Sequence, residues 1–179
     1  LRQLPTPAIL PNTTCVFGAG SYIDVDILYD EIKRTGLSRD KLFIDPNAII
    51  ITENDLNSER SSSLRSSINS TLSGTGAAVL RRISRDGSAN FAKDDERIKQ
   101  FIQPVVPLMR DLLSAGERIV IEGTQGFGLS VLHTPYYPYA TSRDTTAAAF
   151  VSEAGLSPLD VDDIVMVIRA FPIRVGGNS

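Results

Sequence analysis

Three glycine-bearing turns carry the residue types that could bind a phosphate group or a purine base. They lie at residues 18–20, 70–78 and 122–128, and each follows an apolar run or precedes a predicted helix. In parallel α/β folds, ligands bind at the carboxyl ends of strands, where turns of this kind lie. Each turn is therefore a candidate ligand site.

The first turn, Gly18-Ala19-Gly20, matches only the start of a dinucleotide-binding fingerprint. The third glycine of G-x-G-x-x-G would fall at Ile23. A lone G-x-G supplies a turn and a close approach of the backbone, and nothing specific to a nucleotide. We interpret it as a tight strand-to-helix turn.

The second turn, residues 70–78, places hydroxyl groups and flexible glycines directly before a predicted helix. The N–H groups and the dipole of a helix N-terminus favour an anion, so a phosphate would fit there. The segment is not a P-loop, because it lacks the required Lys. A capped loop that binds nothing is the alternative.

The third turn, residues 122–128, contains Gln125, whose amide offers both donors and an acceptor to a base or phosphate. A polar and aromatic segment, 136–146, follows it before a further predicted helix. Loops dense in specific polar groups at strand ends often bind ligands. An aromatic surface loop with a capped helix is the alternative.

Other reactive groups are few. His133 is the only histidine and Cys15 the only cysteine, so the chain offers no His-based or Cys-based metal site, no catalytic triad with two candidate bases and no internal disulfide. We expect a structural role for His133. Three arginines follow the second turn and are either solvated or offer a guanidinium fork to a phosphate: Arg81, Arg82 and Arg85.

The elements that position these turns alternate between strands and helices. Buried strands without polar alternation are predicted at 13–17, 41–44, 48–51, 118–122 and 163–168, and helices at 24–36, 77–85, 94–116 and 145–154. The segment 58–70 is either a polar helix or a loop. The pattern predicts an α/β fold with a mainly parallel sheet covered by helices on both faces.

Composition indicates one ordinary domain. The chain has 179 residues, 18 of them basic and 21 acidic, with a net charge of −3 and no basic block for nucleic acid. It has neither an apolar run long enough to span a membrane nor a signal peptide, so we expect a soluble cytoplasmic protein without nucleic-acid or membrane partners. Both ends look cut, because the chain opens without Met and closes directly after a predicted buried strand.

Taken together, the turns and the last strand resemble the middle of the adenylosuccinate synthetase family, in the same order and at similar spacing. Residues 122–126 and 137–147, E-G-T-Q-G and Y-P-Y-A-T-S-R-D-T-T-A, are similar to the family's E-G-A-Q-G and Y-P-Y-V-T-S-S-N-T-T-A. Residues 68–78 resemble its I-G-T-T-G-R-G-I-G-P-A, and 167–176 resemble its V-V-K-A-Y-T-T-R-V-G. Residues 4–20 resemble its L-x-P-S-G-I-L…V-T-x-x-I-G-N-G stretch.

The resemblance implies a P-loop-related α/β fold and a GTP-driven C–N ligase of purine biosynthesis. IMP is phosphorylated at its 6-oxygen, the amine of L-aspartate displaces that phosphate, and Mg²⁺ assists. In such a transfer, positioning and charge neutralisation supply most of the acceleration.

Carried over residue by residue, the resemblance implies five IMP-binding positions. Thr71 matches a threonine that holds the IMP phosphate, and Thr141 matches a second one. Gln125 matches the glutamine at the nucleotide, and Val175 lies where the backbone touches the ribose. Arg85 matches an arginine that reaches the IMP of the neighbouring subunit, which implies a homodimer.

The chain also departs from the family. The catalytic G-D-E-G-K-G-K and N-N-A-G-H motifs do not occur in it, nor do the C-terminal aspartate-binding Arg loop and guanine-binding K-x-D, so we expect residues 1–179 to be a single fragment without catalytic residues, inactive alone. Within the matched part, Ser73 replaces an Arg, Arg143-Asp144 replaces S-N, and Ser130 and Leu132 replace acidic residues. Two alternatives stay open: a divergent ligase acting on a 2-aminopurine nucleotide such as dGMP, and a nucleotide-binding module that has lost catalysis.

Overall fold

The computed structural model describes residues 1–171. Its strands are β1 (Cys15–Phe17), β2 (Tyr22–Ile23), β3 (Leu42–Ile44) and β4 (Ile49–Ile50). Its α-helices are α1 (Val25–Thr35), α2 (Glu53–Ser61), α3 (Leu64–Ile68), α4 (Thr75–Ser84), α5 (Val105–Ser114) and α6 (Ala147–Ala154). Short 3₁₀ turns lie at Thr6–Ile9, Arg39–Lys41, Ala92–Asp94, Lys99–Phe101, Phe127–Leu129 and Pro158–Asp160.

The strands pair in parallel. β1 pairs with β3, with Cys15 opposite Leu42, and β2 pairs with β4, with Tyr22 opposite Ile49. Parallel pairing needs a crossover, and α1 provides it between the two members of each pair. The predicted α/β fold with parallel strands is confirmed.

Helix α1 begins and ends at the residues that its sequence predicts. The Asp24 carboxylate accepts hydrogen bonds from the N–H groups of Asp26 and Ile27, and Gly36 ends the helix in the left-handed conformation at φ 69°. An acceptor at the N-cap and a glycine at the C-terminal end satisfy backbone groups that the helix itself cannot. The core lies against this helix and is built from apolar side chains of β1, β3 and α1. Burial there raises the pKa of the Cys15 thiol.

The segment 58–70 is largely helical, so the first of the two interpretations is confirmed. It contains the end of α2 and all of α3. Helix α2 begins with a capping box in which Thr52 and Asp55 each accept from the other's backbone N–H. Of the predicted helix 94–116, the part after Pro104 forms α5, which starts at Val105, and the part before it contains only short 3₁₀ turns.

Two predicted strands are wrong. Residues 118–122 and 163–168 are not in strands, and their side chains are exposed or nearly so. A strand forms only against a neighbour, and neither segment has a hydrogen-bonded strand beside it within residues 1–171. The apolar composition of these runs gives them high β-propensity, but a strand also needs a neighbouring strand, which composition does not provide.

Helix α4 does not pack through its large apolar side chains. Leu80 and Ile83 are 66% and 61% exposed, and Ala78 is the buried residue of this helix. The helix thus packs through a small residue, and two large apolar side chains face outward.

Among the described residues, no helix is long and apolar enough to cross a bilayer.

Candidate functional site

The first turn is filled by close packing. A Cβ on Gly20 would lie 2.7 Å from the Cα atom of Glu153, and one on Gly18 would lie 2.9 Å from the carbonyl oxygen of Glu153. The Gly20 N–H donates to that same oxygen at 2.9 Å. Helix α6 therefore occupies the space beside both glycines, which accounts for them without a bound nucleotide.

Two arginine side chains donate hydrogen bonds to backbone carbonyls of this turn. Arg82 Nη1 donates to the Ala19 carbonyl at 2.7 Å, and Arg143 Nη1 donates to the Gly20 carbonyl at 3.2 Å. Arg143 also lies 5.1 Å from the centre of the Tyr22 ring and 3.4 Å from the Glu153 carboxylate. Burial raises the pKa of Glu153, and the two arginines only partly offset it.

The second turn already holds an anion, and it belongs to the protein. The Glu59 carboxylate accepts from the N–H of Gly74 at 2.8 Å and from the N–H of Ala77 at 3.2 Å, at the N-terminus of α4. Gly74 precedes the helix at φ 79°. Two of the amides that the sequence suggested for a phosphate, those of Gly74 and Ala77, are thus satisfied by Glu59, which sequence reasoning missed. Thr71 lies outside this contact and is exposed.

Replacing Glu59 is expected to destabilise the protein. In Glu59→Gln one carboxylate oxygen becomes an NH₂ group facing a backbone donor, so a buried hydrogen bond is lost at a cost of about 1–3 kcal/mol. Urea unfolding followed by circular dichroism measures this loss. Glu53→Gln, on the exposed side of α2 in a pair with Arg60, is the matched control and should change little. Equal changes in the two variants would contradict the assignment.

Residues 126–131, which begin in the third turn, are joined to the polar segment by backbone and side-chain hydrogen bonds. The N–H of Thr141 donates to the Leu129 carbonyl at 2.8 Å, and the N–H of Val131 donates to the Arg143 carbonyl at 3.1 Å. Thr145 Oγ1 donates to the Gly126 carbonyl at 2.8 Å. We call residues 126–131 and 141–145 the paired loops. Gln125, exposed and at φ 69°, directly precedes the first loop, and Thr141 starts the second.

The paired loops lie against the second turn. A Cβ on Gly76 would be 3.5 Å from Ser142 Cβ and 3.1 Å from Glu59 Oε1. The second turn therefore contacts the loop that starts at Thr141, and that loop is hydrogen-bonded to the one after Gln125. His133 stacks on Phe127 with ring centres 5.1 Å apart.

Arg85 does not join this group within one chain. It follows the last residue of α4 at φ 55° and is exposed. A helix of ten residues is about 15 Å long, so Arg85 lies at the opposite end of α4 from the Glu59 contact. Val175 lies outside the described residues.

A sequence model described as adenylosuccinate synthetase matches residues 88–179, slightly more than half of the chain. The chain belongs to the adenylosuccinate synthetase family. It is 37% identical to the adenylosuccinate synthetases of Thermococcus onnurineus and Methanococcus aeolicus, each over 179 aligned residues that cover 98% of this chain and 52% of the relative. The chain thus spans about half the length of the curated relatives it matches.

Solved structures of the family agree in fold. The fully ligated adenylosuccinate synthetase of Plasmodium falciparum matches with a TM-score of 0.79 at 20% identity, over 90% of this chain and 48% of that one. A cyanophage S-2L succinoaminodeoxyadenylate synthetase bound to dGMP and dATP matches with a TM-score of 0.74 at 29% identity, over 88% of this chain and 45% of that one. The first likeness carries the fold alone, and in the second structure dATP is present as an energy donor beside dGMP.

Proposed function

We propose that the protein containing this chain is a purine-nucleotide ligase that joins IMP and L-aspartate with GTP, and that this chain supplies IMP-binding residues. The observation that carries the proposal is the hydrogen bonding of the paired loops, which ties the segment after Gln125 to the segment starting at Thr141 beside the Thr71 turn. Family membership supports the reaction class.

In this proposal each residue has a simple task. The hydroxyls of Thr71 and Thr141 donate to the IMP phosphate, and the Gln125 amide hydrogen-bonds the nucleotide. Val175 contributes backbone contact to the ribose. No catalytic residue is assigned to this chain, so we expect it to be inactive alone.

Mg²⁺ and GTP are proposed for the parent enzyme, with their binding residues mostly outside residues 1–179. Among residues 1–171, no group of three or more His, Cys, Asp or Glu side chains could hold a metal ion. Mg²⁺ in such sites is held mostly by the phosphate oxygens of the nucleotide, by water and by one or two carboxylates.

A homodimer completes the proposed site. Arg85 directly follows α4, the helix on which Leu80 and Ile83 are exposed. Exposed apolar side chains near an exposed arginine suit a surface that a second copy covers. Arg85 would then reach the IMP phosphate of the neighbouring subunit. We propose a cytoplasmic location for this enzyme.

A 2-aminopurine nucleotide such as dGMP is the second candidate substrate. The observation favouring it is the match to the cyanophage synthetase, whose structure contains dGMP and dATP. The departures at Ser73, Ser130, Arg143 and Asp144 fall on the proposed nucleotide side of the chain. A nucleotide-binding module without catalysis would bind a nucleotide and form no product.

Thermal protection by nucleotides tests the site. In the protein that contains this chain, IMP should raise the melting temperature, and Gln125→Ala or Thr141→Ala should weaken IMP binding about tenfold, because each removes one hydrogen bond to a charged or buried group. Gln100→Ala and Thr14→Ala replace the same residue types at exposed positions and serve as controls. Protection by dGMP in place of IMP supports the second candidate, and equal protection of all variants contradicts the site.

A further inference from the structure

We infer that Asp144 is a positioning residue that sets the relation between Gln125 and Thr141 by acting through Ser130. The inference rests on the proposed function, because those two residues are proposed to bind the nucleotide. Asp144 itself need not touch the ligand. Its carboxylate lies between the paired loops and the N-terminus of α6, where it has hydrogen-bond partners on both sides.

The contacts on the side of the first loop converge on a fully buried hydroxyl. Ser130 is 0% exposed, and its Oγ donates to Asp144 Oδ1 at 2.8 Å. The same oxygen of Ser130 accepts from the N–H groups of Leu132 at 3.1 Å and His133 at 3.3 Å. Ser130 therefore fixes the end of the first loop, and Asp144 fixes Ser130.

The contacts on the other side reach the helix. Asp144 Oδ2 accepts from Thr146 Oγ1 at 2.7 Å, and Oδ1 accepts from the Thr146 N–H at 3.2 Å. Thr146 is in turn the N-cap of α6, accepting from the Ala149 N–H at 3.2 Å. The hydrogen bonds from Thr146 and Ser130 lower the pKa of Asp144. One carboxylate thus joins the first loop, the second loop and the start of a helix.

The arrangement of donor and acceptor predicts how substitutions combine. Ser130→Asp puts a second carboxylate against Asp144 in a buried place, so the two groups repel each other. Asp144→Asn alone keeps an acceptor but removes the charge. Combining them moves the carboxylate to the other side of the same hydrogen bond and restores one donor facing one acceptor. The loops of the double variant should therefore be held more firmly, with slower amide exchange, than those of Ser130→Asp alone.

Hydrogen exchange tests the hydrogen bonds of Asp144 to Ser130 and Thr146 without relying on activity. In Asp144→Ala and in Ser130→Asp, exchange of the Thr141 and Val131 amides should rise about tenfold, as expected for one lost charge-assisted hydrogen bond, while the Leu28 amide of α1 stays unchanged. Ser130→Asp with Asp144→Asn should return exchange to within about twofold of the original protein. Asp160→Ala removes an equivalent capping carboxylate elsewhere and should leave both loop amides unchanged.

Nucleotide affinity gives the second readout. IMP or dGMP, whichever protects the original protein, should bind about tenfold more weakly to the single variants and recover in the double variant. Ser130→Ala replaces Asp144→Ala if the latter does not fold. The inference is overturned if loop amide exchange is unchanged in the single variants. It is also overturned if the double variant shows loop exchange and nucleotide affinity no closer to those of the original protein than Ser130→Asp does. Failure of both nucleotides to bind the original protein overturns the proposed function. The exchange data still decide whether Asp144 positions the paired loops.

Discussion

Arg81→Met should destabilise the protein by about 3–5 kcal/mol, because it leaves a buried carboxylate without its cation. Asp55 is 4% exposed, and Arg81 Nε and Nη2 donate to its two oxygens at 3.1 and 2.8 Å. Arg81 also donates to the carbonyls of Ile50 at 2.9 Å and Ser88 at 3.0 Å. One guanidinium therefore ties α2, the end of β4 and the segment after α4 together.

Urea unfolding measures this loss, and the exposed pair of Arg34 and Asp30 provides its control. That pair is separated by 3.6 Å with both side chains largely exposed, so Arg34→Met should cost less than about 0.5 kcal/mol. Replacing Asp55 and Arg81 together by apolar residues should cost less than the sum of the single changes. Similar small effects of Arg81→Met and Arg34→Met would refute the role of the buried pair.

The same pair predicts a dependence on pH. Burial alone would raise the pKa of Asp55, but hydrogen bonds from Arg81 and Thr52 outweigh it and lower the pKa. A lowered pKa in the folded state stabilises the protein above the unfolded value of about 3.9, and this contribution is lost as the pH falls through the folded value. The stability difference between the original protein and Arg81→Met should therefore shrink below about pH 4.

Arg85→Ala should weaken nucleotide binding about 10- to 100-fold without unfolding the protein, if its guanidinium reaches a phosphate in a neighbouring subunit. Its position at the far end of α4 and its exposure make a structural cost small. Isothermal titration with IMP and with dGMP, together with a melting curve, measures both quantities. Arg39→Ala, also exposed, is the control and should bind as the original protein does.

Mixing variants tests whether the site is shared between subunits. Arg85→Ala and Gln125→Ala damage the same site from different subunits, so a mixed dimer contains one intact site and one doubly altered site. Random pairing should restore about a quarter of the tight nucleotide sites, as a two-fold symmetric interface requires. No recovery on mixing would argue that Arg85 acts within its own chain or not at all.

Local signals in the sequence predicted local structure well. Asp24 and Gly36 define the ends of α1 as their side chains require, and the glycines of the first turn indicate a tight turn. The segments of Gln125 and Thr141 could be predicted as candidate ligand loops because polar groups are dense there. Their hydrogen-bonded pairing could not, because it depends on carbonyls such as that of Leu129 that carry no sequence signal.

Signals that depend on a distant partner failed. The run 163–168 has the composition of a buried strand, but composition does not supply a neighbouring strand. Leu80 and Ile83 have helical spacing, yet Ala78 determines the packed face. In the sequence Glu59 has the character of an ordinary solvated acid. Only folding brings its carboxylate to the amide of Gly74, 15 residues further along the chain.

The exposed apolar run 163–168 also bears on colloidal behaviour. It combines high β-propensity with an absence of proline, a composition that promotes intermolecular strand stacking. Charged residues flank it, with Asp162 and Asp163 at its start and Arg169 at its end, where they act as gatekeepers against such stacking. High salt screens those charges, so the ionic strength of the buffer governs how long this chain stays dispersed.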